Sequence, residues 1–415
     1  MVPRAGSSAF SRLFLLVGCA VSVVGLAPST SSAQSRQEIL LEKRREKARE
    51  LEPYRISPLE ARVRGLEKAK FPQNIFVKGW QGFRPVIGGM PSGSGFVLGG
   101  GYVHGLENQY FQFQLNGRYS TRGFTMADAE VVVPPPHVGR RIELKFRAEY
   151  RDFTSLRFYG LGNDSSVDDR STYLLNDQGG TAYVWLNPRG LLSFGAQAGY
   201  FQTRTDSGDA DRSLEEVFDP AGVPGFGDPR TQYSVTGGWV EFDIREKWGS
   251  PPVGIVARVT GLHYEDTGLS LYDFTRVIGD IKGYVPLGHR NRILALRVYS
   301  SHSLPAGGKS VPFYLMETMG GAATVRGFRE YRFRDTRNLL VSAEYRWEVL
   351  PYVDCTLFFD AGKVFRDSDD FNFDKMHTGY GFGLRAHAPA GFVLRFDLAH
   401  SLEGFRFHIG GGPSF

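Results

Sequence analysis

The sequence predicts an all-β fold, a 16-stranded antiparallel transmembrane β-barrel behind a short charged segment, and three observations lead there. Apolar and polar residues alternate with period two from about residue 75 to the C-terminus, which is the signature of strands with two different faces. Beyond the N-terminus no apolar run reaches the roughly 18 residues that a spanning helix needs, so a helical membrane protein is excluded. Glycine (51 residues) and aromatics (13%) exceed ordinary globular usage, while the hydrophobic fraction is only 41%.

Residues 1–33 read as a secretory signal, with Arg4 and Arg12 before an apolar run and Ser31-Ser32-Ala33 as a small-residue cleavage site. A lipobox-like Leu16-Val17-Gly18-Cys19 competes with it; if Cys19 is removed, Cys355 is the only cysteine left and no internal disulfide can form. Residues 34–74 form a charged periplasmic segment or linker, dense in Glu, Lys and Arg between 42 and 50. Its few apolar residues cannot bury a core, so it reads as a solvated tether, with a lumenal plug or a docking helix for a periplasmic partner as the sharper readings.

The barrel occupies 75–415, and its alternating segments run 75–88, 93–104, 108–119, 123–133, 139–159, 171–187, 191–205, 231–244, 253–266, 271–287, 290–303, 338–349, 353–364, 377–388, 391–400 and 403–415. Each reaches the roughly 9 to 11 residues of a tilted membrane strand. With the C-terminus periplasmic, the long connections 160–170, 206–230, 304–337 and 365–376 all fall on the extracellular side, and short turns such as 187–190 fall on the other, as such barrels require. In 139–159, Ile142, Leu144, Phe146, Ala148 and Tyr150 share one face, and Arg141, Glu143, Lys145, Arg147, Glu149 and Arg151 share the other. A lysine or arginine facing lipid at the midplane costs about 2 to 4 kcal/mol, so the charged face is expected to line a wet lumen. The net charge of +5 is spread along these strands, which leaves no footprint for nucleic acid.

Between strands 11 and 12 lies the stretch that organises the chain. A glycine-rich loop with Val325, Arg326, Gly327 and Phe328 leads into a strand carrying Glu344-Tyr345-Arg346, then into one carrying Phe358-Phe359-Asp360-Ala361-Gly362. Parity turns Glu344 and Asp360 to the lumen from adjacent strands, where a loop folded inward can present the planar Arg326 guanidinium to both. Gly320, Gly321 and Gly327 suit a tight reversal there.

This order and spacing resembles the bacterial surface antigen superfamily, the barrel domain of the outer-membrane protein assembly factor and of its translocation and assembly relatives. Phe158-Tyr159-Gly160-Leu161-Gly162-Asn163 also resembles a motif of that family. The resemblance implies that Val325-Arg326-Gly327-Phe328 locks the long extracellular loop inside the barrel against Glu344 and Asp360. It implies an outer-membrane location with both termini periplasmic, lipid around the barrel, and dependence on the barrel assembly machinery for insertion. Phe405, Phe407 and, by the same parity, Phe415 look like the C-terminal aromatic signal for that insertion.

The function expected is outer-membrane protein assembly or insertion, or translocation of protein or lipid, without enzymatic chemistry. No catalytic elbow, metal helix or phosphate loop is present, and no cofactor or metal is called for. The alternative is a passive pore or structural surface protein, favoured because about forty residues before the first strand are too few for the periplasmic repeats that assembly factors usually carry.

Overall fold

Among the described residues, sixteen of the eighteen strands join one antiparallel sheet in chain order, each hydrogen-bonded to its neighbours in that order. They are β1 (Phe83–Ile87), β2 (Val97–His104), β3 (Gln112–Ser120), β4 (Thr125–Val133), β5 (Ile142–Phe158), β6 (Ser171–Leu186), β7 (Leu192–Ser207), β8 (Thr231–Asp243), β9 (Gly254–Asp266), β10 (Phe274–Leu287) and β11 (His289–Pro305). After the long loop follow β14 (Arg337–Leu350), β15 (Val353–Phe365), β16 (His377–His387), β17 (Val393–Ser401) and β18 (Gly404–Gly411). Inside that loop, β12 (Glu317–Met319) and β13 (Phe333–Asp335) form a separate hairpin that the alternation did not predict.

The computed structural model describes residues 75–76, 79–105, 110–135, 141–188, 190–210, 212–246, 253–350, 353–387, 393–412 and 414–415. The signal sequence, Cys19 and the charged segment 34–74 lie outside them. By contact the chain divides into residues 1–69 with 367–372, and 70–366 with 373–415; the sheet belongs to the second unit.

The two faces separate as the alternation requires. Phe146, Tyr200, Val240, Leu357 and Phe359 are exposed on one. The other carries cross-strand ion pairs, including Arg118 to Asp128 at 2.7 Å, Arg151 to Asp177 at 2.5 Å, Arg258 to Glu241 at 2.5 Å and Arg297 to Asp280 at 2.8 Å. Partly solvated pairs of this kind contribute about 0 to 1 kcal/mol each, so they mark the face more than they hold it.

The polar face is not wet along its whole length, contrary to expectation. Toward the ends that carry the long loops its positions become Phe124, Phe153, Tyr173, Tyr233, Tyr264 and Phe274, which pack with Leu214, Val223, Phe313 and Met316 of the loops into one buried cluster. Strand parity assigns a residue to a face; only the loops decide whether water or protein covers it.

The sheet's ends also differ from the expected strand lengths. β1 has 5 residues and β2 and β18 have 8 each, short of a full membrane crossing. Before β1 the chain reverses through Gly79, Gln81 and Gly82, all at positive φ, and Trp80 exchanges backbone hydrogen bonds with Phe83. This turn consumes residues that the alternation had counted as strand. Among the described residues β1 and β18 form no ladder with each other, so the sheet ends in two unpaired edges.

Candidate functional site

The hairpin β12–β13 carries its tip, residues 320–332, against the polar face of β14 to β17. Gly320 (φ +109°) and Gly327 (φ +104°) supply the left-handed backbone that the tip requires. Thr324 closes the first turn, its hydroxyl accepting from the Gly320 N–H at 2.8 Å and donating to the Gly320 carbonyl at 2.9 Å. Val325 and Phe328 are then buried with Met319, Phe333, Leu340 and Val364, and this apolar pack holds Arg326 between them at one height.

Arg326 is 2% exposed, and Glu344 and Asp360 are fully buried beside it. Its Nε and Nη2 donate to the two oxygens of Asp360 at 2.7 and 2.8 Å, the bidentate arrangement that suits a planar fork. Its Nη1 donates to Glu344 Oε1 at 2.5 Å, and its backbone N–H donates to Asp360 Oδ2 at 3.2 Å. The sequence-predicted lock residues Val325, Arg326, Gly327, Phe328, Glu344 and Asp360 are thus brought together. Burial alone would loosen the Arg326 proton, but the hydrogen bond and charge of Asp360, with Glu344 and Asp397, outweigh it and raise the guanidinium above its ordinary range.

Four further charges and one ring complete the site, and sequence reasoning missed their part in it. Asp397 on β17 is fully buried with Oδ2 3.8 Å from Arg326 Nη1. Arg385 donates to Asp397 at 2.5 Å, and Arg395 stands 3.4 Å from it. Arg346 donates to Glu344 at 2.7 Å. Four guanidiniums therefore interleave with three carboxylates, so removing Glu344 or Asp397 leaves more than one cation short of a partner. The Arg326 Cζ lies 3.6 Å above the ring centre of Phe358, an aromatic residue on the polar side of β15. The parity of β15 and β17 carried a signal for Phe358 and Asp397. The glycines that let the tip approach were not legible: a Cβ at Gly379 would stand 1.8 Å from the Arg326 carbonyl oxygen, and one at Gly362 2.8 Å from Val325.

The Phe158 to Asn163 motif meets this loop from the opposite side. Gly162 N–H donates to the Arg334 carbonyl at 2.7 Å. The Asn163 amide donates to the Lys375 carbonyl at 2.9 Å and accepts from Val364 N–H at 3.1 Å. Arg332 of the tip pairs with Glu403 and donates to the Ser165 carbonyl at 2.7 Å, so the tip is held from both flanks.

Of the expected insertion signal, Phe405 (70% exposed) and Phe407 (62%) lie on the apolar face, but Phe415 does not continue their register. β18 ends at Gly411, and Gly412 at φ +81° turns the chain. The Phe415 ring packs with Tyr284, Ile293 and Ala295, 5.1 Å from Arg346 Cζ, on the polar face. A period-two count cannot anticipate a turn three residues before the end. Among the described residues no group of His, Cys, Asp or Glu is placed to hold a metal ion.

The fold is shared with solved structures. BamA from Haemophilus ducreyi lacking POTRA domains 1–3 superimposes with a TM-score of 0.59 at 17% identity, over 80% of this chain and 70% of that one. CdiB from Acinetobacter baumannii gives 0.51 at 13% identity over 76% and 56% of the two chains, and CdiB from Escherichia coli gives 0.51 at 14% over 80% and 60%. At these identities the likeness shows the fold. No curated protein matches in sequence. Residues 107–415, the greater part of the chain with the whole of the Arg326 site, match the Omp85 superfamily domain, and the chain belongs to that superfamily.

Proposed function

We propose that this chain is an outer-membrane barrel that inserts or translocates other molecules, through an opening between β1 and β18 and under the control of the loop that Arg326 locks. The observation that carries the proposal is the pairing of Arg326 with Asp360 and Glu344 at full burial, in a chain whose first and last sheet strands are short and, among the described residues, not paired with each other. In this reading the polar face lines a lumen and the long loops are extracellular. The apolar face meets lipid, and β1 and β18 offer free backbone donors and acceptors to an incoming strand. Family membership and the likeness to BamA and CdiB support a role in outer-membrane protein insertion or secretion at this general level. A passive pore fits less well, because loop residues 213–226 and 311–316 contribute to an apolar cluster across the polar face where solute would pass.

Depletion of the protein in its own host, with quantitative comparison of the other outer-membrane proteins and of surface lipid, tests the proposal. Loss of several unrelated barrels or of lipid asymmetry is expected. An unchanged envelope with altered uptake of small solutes overturns it in favour of a pore. Paired cysteines joining β1 to β18 should abolish the activity when oxidised and restore it when reduced.

A further inference from the structure

Away from the Arg326 site, arginines gather at the loop end of β4 to β6. Arg122 in the β3–β4 turn, Arg157 near the end of β5 and Arg170 just before β6 line one cleft of about 600 Å³, together with Thr154, Ser155 and Asp209. Arg157 experiences the like charges of Arg122, Arg170 and Arg329 together. Asp209 lines the same cleft, and Glu330 lies near enough to Arg157 to feel its charge. Neither the Arg122 nor the Arg157 side chain has a hydrogen-bond or ion-pair partner among the described residues, whereas the arginines of the lock are all paired.

The cleft is built, not merely exposed. The Thr154 hydroxyl donates to the Arg122 carbonyl at 3.1 Å, which ties the β3–β4 turn to β5. The Asp209 N–H donates to the Thr154 carbonyl at 3.1 Å and brings the chain after β7 to the same wall. Gly93 lies beside the Arg157 guanidinium, which a Cβ added there would meet at 3.4 Å. Ser155 is 8% exposed and offers a hydroxyl in the lining. Like charges held together by backbone ties call for an anion, and two guanidinium forks with a hydroxyl match the oxygens of a phosphoryl group.

We propose that the cleft lined by Arg122, Arg157 and Ser155 binds a phosphate-class oxyanion, either free in solution or as the headgroup of a membrane lipid. Its size holds a phosphoryl group with an attached sugar or glycerol. Bound there, the ligand would tie the β3–β4 turn to the loop end of β5, beside Glu330 of the locked tip.

The full chain in uncharged detergent is titrated with inorganic phosphate at constant ionic strength, following phosphorus NMR line width. Retention of phosphatidic acid against phosphatidylcholine is measured by native mass spectrometry. Binding is expected for wild type and at least ~10-fold weaker for Arg122→Gln/Arg157→Gln, since each lost bond is charge-assisted. Phosphate broadening lost in the variant identifies a free-anion site; phosphatidic acid retention lost in the variant identifies a headgroup site. Absence of both, or equal binding by wild type and variant, overturns the proposal. Should the double variant not fold, Arg122→Gln alone, at an exposed position, carries the same comparison.

Discussion

Gly379 of β16 lies directly beneath Arg326, so close that a Cβ on it would stand 1.8 Å from the Arg326 carbonyl oxygen. The obstacle is backbone, which cannot swing aside as a side chain tip can. Gly379→Ala should therefore lift the tip away from Asp360 at a cost of about 1 to 3 kcal/mol, the usual range for overpacking. Urea unfolding midpoints in lipid vesicles, with trypsin cleavage at Arg329 and Arg332, would register it. A midpoint and cleavage rate equal to wild type would show that the tip does not sit on β16.

Removing the Arg326 side chain leaves Asp360 and Glu344 buried without their shared partner. Arg326→Ala should cost about 3 to 5 kcal/mol, lower the yield of folded barrel and expose the 304–337 loop to protease. Arg326→Lys keeps the charge but loses the bidentate fork, so an intermediate loss is expected. Unchanged yield and protection in Arg326→Ala would remove the lock from the functional account.

Asp397 tests whether the site is a network. Its carboxylate receives Arg385 at 2.5 Å and lies 3.8 Å from Arg326. Asp397→Asn should destabilise by several kcal/mol, and with Arg326→Ala the two losses should not add, because both sit in one buried chain of charges. Strict additivity in the double-mutant cycle would separate Asp397 from the lock.

In β7, Gly195 accepts the indole of Trp239 flat against its backbone: a Cβ there would stand 2.0 Å from Cε2 and Cζ2 of that ring. Gly195→Ala should displace Trp239 from its edge-on contact with Trp185, where the ring centres are 5.9 Å apart. The near-ultraviolet circular dichroism of the pair should fall and stability should drop by about 1 to 3 kcal/mol. Adding Trp239→Ala should recover most of the loss due to the new methyl group.

Asn163 joins the β5–β6 loop to β15 and to the chain before β16 through its two amide bonds. Asn163→Ala should cost about 1 to 3 kcal/mol in total, at about 0.5 to 1.5 for each bond. Faster proteolysis within 160–170 at unchanged barrel yield is the expected reading, since the bonds staple a loop and not the sheet.

The acids of the Arg326 cluster were legible because they lie on strands whose parity is set by the same alternation that makes them strands. Glu344 and Asp360 share a face for that reason, but the loop before them carries Arg329, Arg332, Arg334 and Arg337 as well as Arg326, and it was the family resemblance that singled out Arg326. Phe358 and Asp397 obeyed the same parity but drew no notice, one being apolar on a polar face and the other distant in sequence. Phe415 could not be placed, since the turn at Gly412 breaks the count on which its register depended.

By itself the sequence determined that this chain makes a long antiparallel sheet with one apolar and one charged face, because period-two patterning follows directly from strand geometry. It also determined which loop carries the arginine. Only the tertiary structure decided what covers the polar face, because packing of Phe313, Leu214 and Val223 from the loops over Tyr173 and Phe274 depends on residues far apart in the chain. It alone decided that β1 and β18 stop short and, among the described residues, form no ladder with each other, and that Gly379 opens the space into which Arg326 settles. Those are questions of which backbone comes near which, and hydrophobic alternation does not encode distance.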